Sequence, residues 1–183
     1  MKKVFFSGSR RLGKLNKDLR IRADKIIAQG FLILLGDANG ADRAMQQYLA
    51  ERSYKNVVIF CAGQTCRNNI GGWKTKHVVI NRGQKDFRYY AARDKEMSEE
   101  ASYGFMLWDG KSKGTLNNIV NLLELDKYVV VYLSPKKHFF TLKSRDQLPD
   151  LLSNCDQEAM RYFEESLKLS KRIRADQPQL KFS

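Results

Sequence analysis

The sequence has few of the residues that build metal sites and disulfide frameworks. Its 183 residues include three cysteines, Cys61, Cys66 and Cys155, and two histidines. An odd number of cysteines at these spacings is not the pattern of a disulfide framework. Without a CxxC pair, few residues are available as zinc ligands. We therefore expect free thiols in a reducing cytoplasm and no metal centre.

Long apolar runs are also missing. No run approaches the ~18–20 residues that span a membrane. Near the start, Lys2 and Lys3 precede only three apolar residues before the sequence turns polar, whereas a signal peptide needs about 7–15 apolar residues. We expect neither membrane insertion nor secretion by this route. The 3 prolines and 12 glycines are too few for a fibrous or linker-dominated chain.

Positive charge, in contrast, is abundant. The chain has 33 lysines and arginines against 20 acidic residues, a formal net charge of +13. The densest stretch, residues 10–25, carries seven basic residues broken by Asp18 and Asp24. A basic surface attracts and steers anions. The charge is compatible with a nucleotide, with a nucleic acid, or with a helix face that only aids solubility.

Strand-like and helix-like segments alternate along the first 135 residues. Short apolar runs predict strands at residues 4–7, 31–35, 57–61, 103–108 and 128–133. Apolar residues at helical spacing predict helices at residues 14–29, 41–52, 87–101 and 114–125. This alternation predicts an α/β fold, a Rossmann-like open parallel sheet of about five strands with helices on both faces.

The rest of the chain has a different pattern. Residues 62–87 are rich in glycine, and only residues 77–80 among them look like a strand. Beyond residue 135, we expect an edge strand at residues 139–142, one long charged helix at residues 156–173 and a frayed tail. We therefore divide the chain into a nucleotide-binding domain, residues 1–135, and a C-terminal extension, residues 136–183, that packs on the same domain or on a partner chain.

Three glycine-bearing segments follow strands whose carboxyl ends meet at one edge of the predicted sheet, where ligands bind. Glycine lets the backbone approach a ligand, and the amides and dipole of the following helix suit phosphate. Serine, threonine and arginine in these segments add donors, and their carboxylates accept from ribose hydroxyls or base amines. The candidate ligand-binding residues are Gly8, Ser9, Arg10, Gly36, Asp37, Asn39, Gly40, Asp42, Trp108, Gly110, Ser112, Gly114 and Thr115. For Trp108, stacking on a base and capping the core are both open.

Neither GxxxxGK[ST] nor GxGxxG occurs in the sequence. An ordinary ATPase or an NAD dehydrogenase with the usual dinucleotide fingerprint is therefore not expected.

Taken in order, the three segments resemble the SLOG superfamily. They read Gly-Ser-Arg, Gly-x-Ala-x-Gly-Ala-Asp and Trp-Asp-Gly-x-Ser-x-Gly-Thr, and the resemblance covers about residues 3–135. This Rossmann-like group contains the lonely-guy cytokinin phosphoribohydrolases and DNA-processing protein A, and the chain looks closest to the bacterial branch related to YspA and YpsA. The resemblance implies a nucleotide or nucleotide-derived ligand at the strand ends. It also places Arg93 where the phosphoribohydrolases have a catalytic arginine.

One departure from those hydrolases decides the order of our hypotheses. They carry a glutamate three residues after the threonine of the third motif, and this sequence has Asn118 there. An amide cannot act as a general base or as a nucleophilic carboxylate. We therefore expect first a sensor or binding protein for a nucleotide. The alternative is an enzyme acting on an N-glycosidic bond, with Asp109, Asp42 or Asp94 as the carboxylate and Arg93 as its partner; Arg93 and Asp109 are the catalytic candidates.

A third hypothesis is single-stranded nucleic-acid binding. The second segment resembles the Gly-x-Ala-x-Gly-Ile-Asp of DNA-processing protein A, and the chain is strongly basic, as single-strand binders are. No cofactor is certain from the sequence, although Mg²⁺ can accompany a phosphate ligand. The apolar helix that follows Gly114 is a candidate homodimer surface, because related proteins form dimers.

Overall fold

The computed structural model describes residues 1–79 and 86–174. Seven strands occur in these ranges: β1 (Lys3–Gly8), β2 (Leu32–Gly36), β3 (Val57–Ala62), β4 (Lys74–Val78), β5 (Tyr103–Trp108), β6 (Val129–Leu133) and β7 (His138–Leu142). They form one sheet in the order β4-β3-β2-β1-β5-β6-β7. All neighbouring pairs are parallel except β6 and β7, which are antiparallel.

Seven α-helices connect or follow these strands within the same ranges. They are α1 (Lys17–Ala28), α2 (Ala41–Glu51), α3 (Phe87–Glu100), α4 (Lys113–Glu124), α5 (Leu148–Leu152), α6 (Gln157–Leu167) and α7 (Leu169–Arg174). Short 3₁₀ turns occur at Ser134–Lys136 and Arg145–Gln147. None of the helices in the part of the chain that the structure describes is both long and apolar enough to cross a membrane.

The central strands are buried on both faces, which is why they read as continuous apolar runs. In β1, Val4 and Phe6 pack on one side of the sheet and Phe5 on the other, because successive side chains of a strand point to opposite faces. Helices α1 and α2 cover the first face, and α3 to α7 cover the second. The predicted α/β architecture with helices on both faces is confirmed.

The sheet has seven strands, whereas the sequence predicts about five. The strand at one edge is β4. It pairs with β3 over Lys74–Val78, earlier than the predicted strand at residues 77–80. Of its residues only Val78 is buried, so the lysine-rich segment lacks the apolar run that marks the other strands. The end of the predicted strand, Ile80, lies outside the described residues.

The C-terminal extension packs on the sheet of the same chain. Strand β7 is the predicted edge strand, and Phe163 and Leu167 of α6 join the core on the second face. The prediction of one helix over residues 156–173 is wrong, because Lys168 adopts a left-handed conformation, with φ +53°, that separates α6 from α7. The predicted frayed tail, residues 175–183, lies outside the described residues, and the division at residue 135 stays a prediction.

The expectation of free thiols fails for two of the three cysteines. Cys61 and Cys66 form a disulfide, with their Cα atoms 5.1 Å apart, whereas Cys155 is a free thiol. The chain leaves β3 near Cys61 and turns back so that Cys66 meets it. The spacing of five residues did not indicate this return, because it depends on the loop's path.

The apolar face of α4 is used within the chain. Its side chains that face the sheet are at most 1% exposed, so this face is not a free surface for a second copy. The residues concerned are Leu116, Ile119, Val120, Leu122 and Leu123. The homodimer itself stays a prediction, without α4 as its surface.

We predict that Phe163→Ala destabilises the chain strongly. Phe163 is 0% exposed and its ring centre lies 5.9 Å from that of Trp108. Removal of a buried phenyl ring leaves a cavity, so the free energy of unfolding should fall by ~3–5 kcal/mol in urea denaturation. The neighbouring Tyr162 is 43% exposed, and Tyr162→Ala should cost less than about 1 kcal/mol. Equal small losses would show that the extension contributes little to the core.

Candidate functional site

A cavity of about 680 Å³ lies at the carboxyl ends of β1 and β5. The chain moves outward from β1 through β2, β3 and β4, and then returns to place β5 on the other side of β1. This reversal is the topological switch point, where open α/β sheets bind ligands. The volume lies within the range of about 300–1,000 Å³ that is usual for small-molecule sites.

The loop after β1 forms one wall of the cavity. A Cβ on Gly8 would lie 2.6 Å from the Cβ of Ala41, so the strand end approaches α2 only because it has no side chain there. The amide of the buried Ser9 donates to the carbonyl oxygen of Leu107 at 2.9 Å. The Ser9 hydroxyl donates to Asp109 Oδ2 at 2.7 Å. These bonds fasten the loop after β1 to the loop after β5.

The loop after β5 shapes the opposite wall. Asp109 Oδ1 accepts from the amides of Lys111 at 3.0 Å and Ser112 at 2.7 Å, so this carboxylate holds the loop as well as Ser9. Ser112 is the N-cap of α4, and its Oγ accepts from the Thr115 hydroxyl at 3.1 Å. Ser112 Oγ also accepts from the Thr115 amide at 3.4 Å, whereas the Lys113 and Gly114 amides have no acceptor within the helix. Together with the positive end of the helix dipole, these two amides make the wall suitable for an anion.

Basic side chains surround the cavity mouth, and aromatic rings hold two of them. The Arg10 guanidinium lies 5.1 Å from the ring centre of Tyr90, and Lys113 Nζ lies 4.6 Å from that of Phe87. Cation–π contacts at this distance keep the charges near the mouth. The basic residues on the lining are Arg10, Arg11, Lys111, Lys113 and, deeper, Arg93.

The floor of the cavity is organised by Arg93, which is 4% exposed. Its guanidinium donates to Asp37 Oδ1 at 2.6 Å and to Asp94 Oδ1 at 2.6 Å. Arg67 also donates to Asp37 Oδ1, at 2.5 Å. Burial lowers the pKa of Arg93, but the charges of Asp94, Asp42 and Asp37 outweigh it and raise the pKa, so the guanidinium stays charged. Burial raises the pKa of Asp37, yet the bonds from Arg67 and the charge of Arg93 hold it below its usual value.

Two buried acceptors on the cavity lining remain unpaired. Among the residues that the structure describes, Asp42 Oδ1 and Asn118 Oδ1 have no hydrogen-bond partner, although the residues are 3% and 1% exposed. The Asn118 amide donates to Ser7 Oγ at 3.2 Å and to Asp94 Oδ2 at 3.1 Å, which leaves its carbonyl oxygen over. An unpaired buried acceptor costs about 1–3 kcal/mol, so a ligand that brings N–H or O–H donors would remove that cost.

Asp42 can exchange a proton near neutral pH. Burial is the largest effect and raises the pKa of its carboxyl to about 7; the charge of Arg93 opposes this, while those of Asp94 and Asp37 add to it. A Cβ on Gly36 would lie 2.5 Å from Asp42 Oδ2, so glycine at the end of β2 makes room for this carboxyl.

The cavity brings together ten residues that the sequence analysis names as binding or catalytic candidates. They are Gly8, Ser9, Arg10, Asp42, Arg93, Asp94, Asp109, Ser112, Gly114 and Thr115. The binding and catalytic roles of these residues stay predictions.

Five further candidates lie outside the lining and support it. Gly40, with φ +78°, begins α2, and a side chain there would meet the backbone of Arg10. Asn39 Oδ1 accepts from Asn68 at 3.1 Å. The five are Gly36, Asp37, Asn39, Gly40 and Gly110.

Base stacking is excluded for Trp108. Its side chain is 0% exposed, its Nε1 donates to the carbonyl oxygen of Ser112 at 3.0 Å, and its ring packs near Phe163. Of the two open interpretations, the core one holds, because the C-terminal extension covers the end of β5.

Sequence reasoning missed several lining residues. Lys111 and Lys113 lie inside the third glycine segment, so their position in the sequence could have indicated that they line the site. Tyr162 comes from α6, and nothing local to it indicates that α6 reaches the cavity. The other missed residues are Ser7, Arg11, Ala38, Asp86, Phe87, Ala91 and Asn117.

Comparison with known proteins supports the fold. No protein-family model matches the sequence, and no curated protein matches it. Among solved structures, the chain is similar to DNA processing protein A from Helicobacter pylori, whose structure describes a single-stranded DNA binding mode. The TM-score is 0.57 at 13% identity, and the match covers 91% of this chain and 80% of that one. At this identity the likeness shows a shared fold.

We predict that Asp42→Asn changes how stability depends on pH. The pKa of Asp42 is about 7 in the folded chain against an ordinary 3.8, so the folded chain binds more protons between these values. The free energy of unfolding of the wild type therefore falls through this interval as pH rises, and this contribution is constant above it. The advantage of Asp42→Asn over the wild type should grow by about 2–4 kcal/mol from pH 4 to pH 8 in denaturant titrations.

Asp126→Asn is the matched control. Asp126 is exposed and has φ +54°, a conformation that asparagine tolerates. Asp126 lies outside the cavity lining, so this variant is the reference for the loss of one exposed carboxylate. A difference between Asp42→Asn and the wild type that stays constant with pH would contradict a raised pKa at this buried carboxyl.

Proposed function

We propose that the chain binds a nucleotide or nucleotide-derived small molecule in this cavity, as a sensor or binding protein. One observation carries the proposal. A single cavity at the switch point combines basic residues and a helix N-terminus at its mouth with unpaired buried acceptors on its lining. A ligand that fits both has phosphate at one end and hydrogen-bond donors at the other.

The phosphate end is supported by the first turn of α4. Ser112, Gly114 and Thr115 line the cavity there, and the Lys113 and Gly114 amides, which have no acceptor within the helix, suit phosphate oxygens. Arg10, from the loop after β1, and Lys113 of α4 add positive charge at the mouth, and charge-assisted hydrogen bonds are stronger than neutral ones. If the ligand carries two or more phosphates, we propose that Mg²⁺ enters with it.

The donor end is supported by Asp42 and Asn118. Their unpaired oxygens accept from hydroxyls of a sugar or from an exocyclic amine of a base. Because both are buried, a ligand that lacks these donors leaves them unpaired and binds less well. The arrangement thus favours a nucleotide over inorganic phosphate alone.

An N-glycosidic hydrolase or transferase is a second candidate, and Asp42 favours it. A carboxyl with a pKa of about 7 beside a buried guanidinium can give or take a proton at neutral pH. Asn118 occupies the position of the phosphoribohydrolase glutamate, so Asp42 would have to carry the proton transfer alone. Release of free base from a bound nucleotide, lost in Asp42→Asn, would assign this activity.

Single-stranded DNA is the third candidate. It is supported by the similarity in fold to a protein with a described single-stranded DNA binding mode and by the net charge of +13. We further propose that the chain belongs to the branch related to YspA and YpsA. Its source would be bacterial, its location cytoplasmic and its assembly a homodimer.

We predict that mononucleotides raise the melting temperature of the purified chain and that the variants Arg10→Gln and Lys113→Gln reduce this effect. Loss of one charge-assisted hydrogen bond costs about 1.5–3 kcal/mol, which is a rise in Kd of about 10- to 100-fold. Native mass spectrometry of the protein as purified, followed by a thermal-shift screen against nucleotides, cyclic dinucleotides, NAD derivatives and short oligonucleotides, tests this.

Arg22→Gln and Lys25→Gln are the matched controls. Both residues lie on the basic face of α1 and outside the cavity. Nucleotide binding in the cavity should be unchanged in them. If only oligonucleotides bind, with affinity that falls steeply with salt and depends on Arg22 and Lys25, the small-ligand proposal is wrong and the single-strand proposal replaces it.

A further inference from the structure

Cys61, Cys66 and His77 meet near the carboxyl ends of β3 and β4, outside the cavity lining. Cys61 of β3 is in register with His77 of β4, so the two side chains lie side by side on one face. Cys66 is brought to them by the loop after β3. One ligand atom from each of the three residues lies within 4.8 Å of the other two. Two sulfurs and an imidazole are thus gathered at a single point.

This set of donors suits a thiophilic divalent cation. Zinc binds thiolate at about 2.3 Å and imidazole at about 2.0–2.1 Å, so ligands of one tetrahedral zinc ion lie roughly 3.3–3.8 Å apart. His77 Nδ1 lies 2.9 Å from the carbonyl oxygen of Gly63. Because that oxygen can only accept, a hydrogen bond between them has Nδ1 as the donor, and Nε2 is then the nitrogen available to a metal ion. A backbone carbonyl that orients a histidine in this way is usual at metal sites.

The loop that carries Cys66 is anchored independently of the disulfide. The amide of Arg67 donates to Asp37 Oδ2 at 2.9 Å, and its guanidinium donates to Asp37 Oδ1. The side chain of Asn68 donates to the carbonyl oxygen of Asp37 at 2.8 Å. These bonds keep Cys66 near Cys61 when the sulfurs are reduced, so two thiolates stay available together.

We propose that the reduced chain binds one divalent cation of the zinc class through Cys61 Sγ, Cys66 Sγ and the His77 imidazole, with water as a fourth ligand. His77 is exposed and Cys66 is half-buried, so the fourth position is open to solvent. The disulfide is the oxidised state of the same site. The proposal concerns residues outside the cavity and does not depend on the proposed function.

The two states exchange by a two-electron step. The oxidant is hydrogen peroxide, which accepts two electrons from the two bound thiolates and two protons from solvent. One S–S bond forms, while the two metal–sulfur bonds, the metal–imidazole bond and the peroxide O–O bond break. The products are the disulfide, the free cation and two water molecules. Peroxide should therefore release the bound cation in a one-to-one ratio.

The experiment titrates the full chain, reduced with a phosphine that is then removed, with Co²⁺ as a spectroscopic probe and with Zn²⁺ in competition. We expect one equivalent of cobalt, a thiolate-to-cobalt charge-transfer band, and displacement by zinc. Cys66→Ser should abolish the band, and His77→Gln should weaken binding at least tenfold. The controls are Cys155→Ser, which alters the remaining cysteine, and His138→Gln, which alters the second histidine; both should bind as the wild type does.

Three results would overturn the proposal: no charge-transfer band in the reduced wild type, a band that survives Cys66→Ser, or equal binding by the oxidised wild type. The comparison of oxidised and reduced wild type needs no substitution, so it decides the matter even if a variant fails to fold. Because metal binding is measured without a nucleotide, its failure leaves the proposed function untouched.

Discussion

The buried guanidinium of Arg93 is the group on which the site depends. It bonds to Asp37, which follows β2, and to Asp94 on its own helix, while its charge also acts on Asp42 of α2. Carboxylates this close and this deeply buried would repel one another without a cation between them. Removal of one partner from a buried ion pair is strongly destabilising, because the remaining charge has no compensation. Arg93 thus permits the polar floor to exist under the cavity.

The walls of the cavity depend on a second set of contacts, made by Asp109. Its two oxygens accept from the loop after β1 and from the loop that begins α4, so one carboxylate fixes both sides of the switch point. Both Asp109 oxygens already accept hydrogen bonds from these loops. The unpaired acceptors therefore come from the floor of the cavity, at Asp42 and Asn118. This separates the two ends of the cavity chemically, with cations and the N-terminus of α4 at the mouth and oxygen acceptors beneath.

The fold was largely predictable because its signals are local. Buried parallel strands read as apolar runs, and glycines such as Gly8 and Gly36 mark the places where the backbone must come close to a neighbouring element. The start of strand β4 was missed because only Val78 in it is buried, and the break at Lys168 was missed because the apolar spacing continues across it. Both depend on packing against distant segments, which a local pattern does not contain.

By itself, the sequence determined the architecture, the edge of the sheet where the cavity lies, and the residues of the first and third glycine segments that line it. Tertiary structure decided which polar groups remain unpaired, since that depends on contacts between residues such as Asn118 and Ser7, 111 positions apart. It also decided that Trp108 is a core residue, because the C-terminal extension covers it, and that Cys61 and Cys66 are bonded, because the path of a loop brings them together. In each case the chemistry of a side chain is set by neighbours that chain folding supplies.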